Sequence, residues 1–444
     1  MENKIDKNNL EDILELTPFQ EGLLLHYLRN KSSQYTEQLY LRLSGKIDDA
    51  FFAKTWNKIG ENNEVLRSFF RWKAIKKPVV IILKDHQPQI EYIDLSNIKE
   101  NNLEEEIARI RQADIQTEFD LSKVPFRIKL LTISEESHVM LISNHHIMYD
   151  GWSTGIILKE FIQEFDQVQI DEESQVNKAK YKDYVIWNQK REKDNELAFW
   201  SKYLSRRENN SLIPFANPKK LEPEQLKEGK KTNVFEVDEK LYQSISRFGR
   251  EYKVTTANIL YSAWGLLLGK FNDENVVFGT TVSCRPNTIK GIENTVGLFI
   301  NTIPLLCEIK PDQELGKFLQ DNQKALIDRE PYEASSLTDI YDYSKATQGS
   351  LFDSIVVIEN YPIDKVLSEN SSKLKLVDYH MDYQTHYLLS VVISTFNGIH
   401  VTLTYNDQVF TPEALSLIEE YFVTILRQIT DSPAKKISEL VLTS

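Results

Sequence analysis

Residues 138–153 read HVMLISNHHIMYDGWS, and this stretch decides how the chain is read. Pro125 to Ile133 alternates as a strand, the polar residues Ser134 to Ser137 turn it, and His138 to Asn144 returns as its partner. Two such runs predict paired strands. From Trp152 to Val168 the apolar residues Ile156, Ile157, Phe161, Ile162 and Phe165 fall at helical spacing, with Ser153 as the expected N-cap. HHIMYDG therefore occupies the loop between a buried strand and a helix, a place where scaffolds present chemistry.

Outward from this centre the same alternation continues. On the N-terminal side, helical spacing appears at Phe19 to Leu28, at Asp48 to Ile59 with an aspartate N-cap, and at Leu103 to Ala113; Gln38 to Leu43 and Pro78 to Leu83 read as strands. On the C-terminal side, residues 171–180 (DEESQVNKAK) have no apolar face and read as a linker. Beyond it come an aromatic-rich helical stretch from Tyr181 to Tyr203, a strand at Asn233 to Val237, helices at Lys240 to Tyr252 and Thr255 to Leu268, and a strand at Val276 to Ser283. At 444 residues the chain exceeds one ordinary core. The expected architecture is α/β (α+β) in two lobes, 16–175 and 176–444, preceded by a short segment 1–15.

Composition narrows the class. Apolar residues at 41% and charged residues at 27% belong to a globular protein. A net charge of -13 argues against nucleic acid as a partner, because phosphate binding needs clustered Lys and Arg; the basic run Arg71 to Lys77 reads as a strand edge or turn. Cys284 and Cys307 have no CxxC spacing, which offers neither a zinc site nor a disulfide frame and suits a reducing cytoplasm. No apolar run approaches the roughly 18 residues of a membrane span, and the first residues lack a signal-peptide core.

At the centre, adjacent histidines end a strand and are followed by a tight Asp150-Gly151 turn. Imidazole titrates nearest neutrality, so it can accept and return a proton. Core packing is the plain alternative. Three functional readings stand beside it. A metal can draw on His146 and Asp150, four residues apart, though no third ligand is in view. A serine hydrolase can draw on Gly151-Trp152-Ser153-Thr154-Gly155, which spells GxSxG but stands several residues from the strand that a nucleophile elbow requires. The third is acyl transfer without a covalent enzyme intermediate.

For the third reading, HHIMYDG resembles the HHxxxDG core of non-ribosomal peptide synthetase condensation domains, a pattern shared with acyltransferases of the chloramphenicol acetyltransferase type. LTPFQEGLLLH (16–26) is similar to the family's opening motif, and NNEVLRSFF (62–70) to its second, with Asn63 where histidine is common. YKDYVIW (181–187), FGTTVSCRP (278–286, with Cys284 in place of a glycine) and VGLFINT (296–302) resemble later elements, and REPYE (329–333) and LFDSIVVIENY (351–361) do so more loosely. The resemblance runs in order from about residue 16 to the final ISELVLTS.

The resemblance implies two chloramphenicol-acetyltransferase-like lobes in a V-shaped pseudo-dimer with an active-site tunnel between them. It implies amide-bond formation between a donor acyl or peptidyl thioester and an acceptor aminoacyl thioester. Both arrive on phosphopantetheine arms of peptidyl carrier proteins, so the chain needs no cofactor of its own and no metal. His146 becomes the catalytic centre, with His145, Asp150 and Gly151 around it. Gly151 would let the backbone approach the thioester. Asp150 is expected to pair with Arg67, and Trp152 and Ser153 to support the turn. Tyr181, Trp187, Arg285 and Asn301 carry over as tunnel-lining motif members, while His380 and His386 are expected at a surface or lobe interface. The resemblance further implies an adjoining adenylation domain in a longer protein and a docking role for residues 1–15 toward an upstream synthetase subunit. The opening motif and Trp152-Ser153 favour a D-configured donor. A heterocyclising variant would need two aspartates in the motif, and an epimerising one an EGHGR stretch; neither occurs. The rivals are a stand-alone coenzyme A-dependent acyltransferase of the same superfamily and a non-catalytic recruitment domain, whose relatives often lack the second histidine.

Overall fold

A computed structural model describes residues 6–30, 35–167, 177–207, 211–217, 230–272, 275–344, 351–359, 373–382 and 387–442. The chain begins with β1 (Leu10–Glu15), α1 (Pro18–Asn30), β2 (Thr36–Ser44), α2 (Asp49–Asn62), β3 (Ser68–Arg71), β4 (Val79–Leu83), β5 (Gln89–Asp94), α3 (Glu100–Gln116), β6 (Phe126–Ser134), β7 (Ser137–His145), α4 (Gly151–Phe165) and α5 (Tyr181–Gln189). It continues with α6 (Lys193–Leu204), β8 (Lys230–Val237), α7 (Glu239–Tyr252), α8 (Thr256–Gly269), β9 (Val276–Ser283), β10 (Ile300–Cys307), α9 (Leu315–Arg329), α10 (Leu337–Tyr343), β11 (Ser354–Glu359), β12 (Lys375–Asp382), β13 (Leu389–Ser394), β14 (Ile399–Asn406) and α11 (Pro412–Asp431). The expected mixture of strands and helices is present, and Asp48 caps α2 by accepting from Phe51 N.

Two compact units share the chain. The first takes residues up to Arg191, Arg285–Ile300 and, within Tyr361–Thr385, strand β12; the second takes Glu192–Cys284, Asn301–Asn360 and His386–Ser444. The division therefore differs from a single cut between 175 and 176. Apolar periodicity reports local elements, whereas unit membership depends on pairings made far along the chain. The helical stretch 181–203 is likewise two helices, α5 and α6, broken at the polar residues Lys190 to Glu192, and the first boundary between units falls there. Of the expected linker, residues 171–176 lie outside the described residues.

In the first unit, a five-stranded sheet runs β12-β2-β7-β6-β5 and a three-stranded one β1-β4-β3. Leu10–Glu15 pairs antiparallel with β4, so this part of the expected docking segment is a strand of the unit's own sheet; residues 1–5 lie outside the described residues. Strand β7 is central, and every residue from His138 to His145 is buried. Both of its faces are covered, which explains why Val139 to Ile142 is continuously apolar rather than alternating. One face carries Leu131, Val139 and Leu141 against Ile107 and Ile110 of α3. On the other, Phe126 meets Trp56 of α2, which stacks on Phe161 of α4 at 5.2 Å. At about 25 cal/mol per Å² of apolar surface, these faces set β7 firmly and with it the loop that follows.

The second unit holds a six-stranded sheet, β10-β9-β11-β13-β14-β8, mixed in direction: β11 is parallel to β9 and β13, while β13, β14 and β8 run antiparallel. Its core gathers Trp264 of α8, Phe422 of α11, Phe318 of α9 and the inward residues Val391, Ile393, Val401 and Leu403. Both cysteines are buried, and neither is in a disulfide. No helix among the described residues is long and apolar enough to cross a membrane.

Candidate active site

The turn after β7 is fixed by the aspartate of HHxxxDG. Asp150 is 1% exposed and is itself the N-cap of α4, accepting from Ser153 N at 2.9 Å. Ser153 is thus the third residue of the helix rather than its cap. The aspartate precedes Gly151 at the helix start, so its short side chain reaches the free amides of the first turn.

Asp150 pairs with Arg285, and this corrects the expected pairing with Arg67. Arg285 Nη2 lies 3.3 Å from Asp150 Oδ1, Ser153 Oγ donates to the same oxygen at 2.8 Å, and Phe299 N donates to Oδ2 at 2.9 Å. Arg285 also donates through Nη1 to Ile292 O and Thr295 O, and through Nη2 to Ser153 Oγ, and its guanidinium lies 3.9 Å from the Phe299 ring centroid. Burial lowers the pKa of this arginine and the Asp150 carboxylate opposes that shift. Arg67 is buried elsewhere. Its Nε donates to Gly60 O at 2.8 Å, and its Nη1 contacts Glu11 Oε2 at 2.7 Å and Leu83 O. Each arginine has the carboxylate and carbonyls that a buried guanidinium needs, but the partners come from other parts of the chain.

Neither the serine-hydrolase reading nor the metal reading fits this geometry. Ser153 is fully buried, its hydroxyl lying between Asp150 Oδ1 and Gly297 O and accepting from Gly297 N. That hydroxyl is a bracing group, and GWSTG is not a nucleophile elbow. Both oxygens of Asp150 are taken by donors, which leaves His146 and Asp150 no shared cation position.

The two histidines have opposite surroundings. His145 ends β7 fully inside; its Nδ1 accepts from Ile147 N at 3.1 Å, and burial followed by the neighbouring His146 depresses its pKa to about 3. It is a neutral ring that shapes the turn. His146 keeps 16% of its side chain exposed, and its Nδ1 stands 2.8 Å from Oε1 of Glu37. Burial pulls the His146 pKa down, yet the Glu37 carboxylate, aided by Asp150 and the Tyr149 carbonyl, carries it above the ordinary value. The His146 amide donates to Tyr35 O at 2.8 Å, and the ring meets Phe19 edge-on at 6.1 Å.

Glu37 was absent from the sequence-based site. It lies opposite Asn144 in the β2–β7 ladder and accepts from Asn144 Nδ2 at 3.1 Å. The available signal was a carboxylate in a strand that pairs with a strand buried on both faces, a position that requires a partner.

The remaining candidates separate. Gly151 opens α4 and is buried, and Trp152 Nε1 donates to Glu293 O at 3.0 Å, tying the turn to 285–300. Tyr181 is 1% exposed and donates to Leu298 O at 3.0 Å; Trp187 stacks on Tyr184, which meets Phe299. Both belong to the aromatic packing of the first unit. Asn301 belongs to the second unit, where its amide donates to Glu333 O and Ser335 O. His380 is exposed on β12, and His386 lies outside the described residues.

A family model described as Condensation domain matches residues 10–444. Surfactin synthase subunit 2 of Bacillus subtilis (strain 168) is 30% identical over 445 residues, 98% of this chain and 12% of that protein. Bacitracin synthase 3 of Bacillus licheniformis is 29% identical over 443 residues, 98% of this chain and 7% of that protein. The chain thus spans a small part of the curated relatives it matches. Among solved structures, the condensation domain from a monacolin K polyketide synthase superposes with a TM-score of 0.81 at 15% identity, covering 97% of this chain and all of that one. A four-domain nonribosomal peptide synthetase bound to AMP and glycine gives 0.80 at 19% identity, covering all of this chain and 35% of that one.

Proposed function

The chain belongs to the condensation-domain family, and from that premise we propose that it forms an amide bond between two carrier-bound substrates with His146 as the catalytic residue. The observation that carries the reading is His146 itself: a partly exposed imidazole, held at Nδ1 by a buried carboxylate, on a turn braced by the Asp150–Arg285 pair.

The substrates are a donor acyl or peptidyl thioester and an acceptor aminoacyl thioester, each on the phosphopantetheine arm of a carrier protein. The acceptor nitrogen attacks the thioester carbonyl carbon, the C–N bond forms as the C–S bond breaks, and the surplus amine proton ends on the departing thiol. His146 hydrogen-bonds the acceptor amine, and either takes its proton or steadies the tetrahedral intermediate. A free α-amine has a pKa of about 7.7 to 8.0, so much of it is neutral near pH 8 and positioning supplies a large share of the acceleration. Gly151, with no side chain at the helix start, leaves room for the thioester. In this reading an adenylation domain adjoins the chain in a longer cytoplasmic synthetase.

Mass spectrometry of the acceptor carrier, with a panel of D- and L-aminoacyl donor carriers, tests the proposal. Wild type is expected to give condensed product, with D-configured donors preferred, and a folded His146→Ala to lose at least about 100-fold in rate, the lower range for removing a general acid–base group. Turnover of free coenzyme A thioesters with no product from any carrier pair would overturn the reading in favour of a stand-alone acyltransferase. Product formation undiminished in His146→Ala would remove the histidine from the chemistry.

A further inference from the structure

We propose that Glu37 is the positioning residue of His146: by holding the imidazole at Nδ1, it dedicates Nε2 to the acceptor amine. The proposal rests on the reading of His146 given above and adds to it a residue on another strand.

Glu37 is built for the task. It is 4% exposed, and its two oxygens have separate partners, Oε2 with Asn144 Nδ2 and Oε1 with His146 Nδ1. The ladder sets Glu37 opposite Asn144, two residues before His146, so the carboxylate is fixed to the strand that delivers the histidine. Nδ1 of His146 is buried, and Glu37 Oε1 stands 2.8 Å from it as an ion-pair contact outside hydrogen-bond geometry. Nε2 is the nitrogen left for exchange. The Phe19 ring restricts the imidazole from the α1 side. A histidine whose inner N–H faces a carboxylate is held in one tautomer and orientation, and the imidazolium formed on proton uptake is stabilised where it forms.

The other groups around the ring leave this role to Glu37. The turn contributes Asp150, whose oxygens are already occupied by Ser153, Arg285 and the Phe299 amide, and His145, a neutral ring. It also contributes the Tyr149 carbonyl, an uncharged acceptor that raises the His146 pKa less than the Glu37 carboxylate does, and the buried Tyr149 hydroxyl, whose pKa burial and Glu37 raise further. From α1 come Phe19 and Gln20, both uncharged, Gln20 donating to Ile147 O; His26 of the same helix packs on Tyr35.

The test compares wild type, Glu37→Gln, Glu37→Asp and His146→Ala in single-turnover condensation between loaded carriers across pH 5.5 to 9, together with ring ¹⁵N NMR of His146. Glu37→Gln is expected to lower the plateau rate by about 10- to 100-fold, the range for groups that orient a functional histidine from behind, with half-saturating carrier concentration unchanged. Its acid limb moves to lower pH, because losing the carboxylate makes His146 easier to deprotonate. Glu37→Asp restores part of the rate and of the pH profile. In wild type the neutral ring carries its proton on Nδ1. A folded Glu37→Gln with the wild-type rate and profile, alongside an inactive His146→Ala, would overturn the proposal and leave the proposed function standing. Full activity in His146→Ala would overturn both. Should neither Glu37 variant fold, NMR of wild type decides: a proton on Nε2 in the neutral ring overturns the assignment.

Discussion

Two buried carboxylates bear on His146, Asp150 from its own turn and Glu37 from β2, and their partners divide their roles. Asp150 faces a guanidinium, a hydroxyl and two backbone amides, none of which exchanges protons near neutral pH. Glu37 faces an imidazole that does. A carboxylate saturated by permanent donors holds a turn in place; one that shares its charge with a titrating ring tunes that ring. The motif that carries HHxxxDG thus has its mechanical anchor inside the motif and its electrostatic partner outside it, on β2.

The largest expected effect breaks the anchor. Asp150→Asn leaves the guanidinium of Arg285 buried without its counter-charge, and should cost about 3 to 5 kcal/mol in chemical denaturation; full stability with lost activity would instead make Asp150 a participant in the chemistry. Next, Ser153→Ala removes the hydroxyl between Asp150 and Gly297 and leaves buried donors short of a partner, a loss of about 1 to 3 kcal/mol with condensation retained in the folded fraction. Complete loss of activity at unchanged stability would restore the nucleophile reading of GWSTG.

Other effects appear with pH. His145 titrates at about 3 in the folded chain against an ordinary 6.5, so the unfolded state binds the extra proton first. Its contribution is present above pH 6.5 and is lost as pH falls toward 3, at up to about 1.4 kcal/mol per pH unit. His145→Gln should flatten that slope in denaturation curves between pH 6.5 and 4. His146 has the opposite sign. Its pKa is raised on folding, so its contribution is present below 6.5 and disappears as pH rises through the folded value. Denaturation of wild type against Glu37→Gln should therefore show the smallest gap at high pH and a wider one below 6.5. A gap independent of pH would mean that the carboxylate does not act through the ring.

The strand, loop and helix around HHIMYDG were legible because each is written locally: a buried apolar run, two histidines, an Asp-Gly turn and a helical period. The pairing of Asp150 was not. Arg67 and Arg285 are both buried arginines, and nothing in their spacing tells which one meets an aspartate when the answer depends on how residues 285–300 return to the first unit. Glu37 was passed over because it lies just before the strand read at Gln38 to Leu43, whereas β2 begins at Thr36; its burial follows from pairing with the buried strand β7, a tertiary fact. Tyr181 and Tyr203 looked like parts of one helix because the aromatic pattern continues across Lys190 to Glu192, although α5 and α6 serve different cores.

The return of 285–300 and of β12 to the first unit also governs how the protein is made. During synthesis the first 191 residues emerge lacking both the arginine that neutralises Asp150 and the strand that covers the edge of β2. At ordinary elongation rates roughly 190 further residues take about 10 to 40 s to appear, long compared with the folding of a small domain. Through that interval the nascent unit holds an unpaired acid and an open sheet edge, a template for pairing with another chain that β12 later covers.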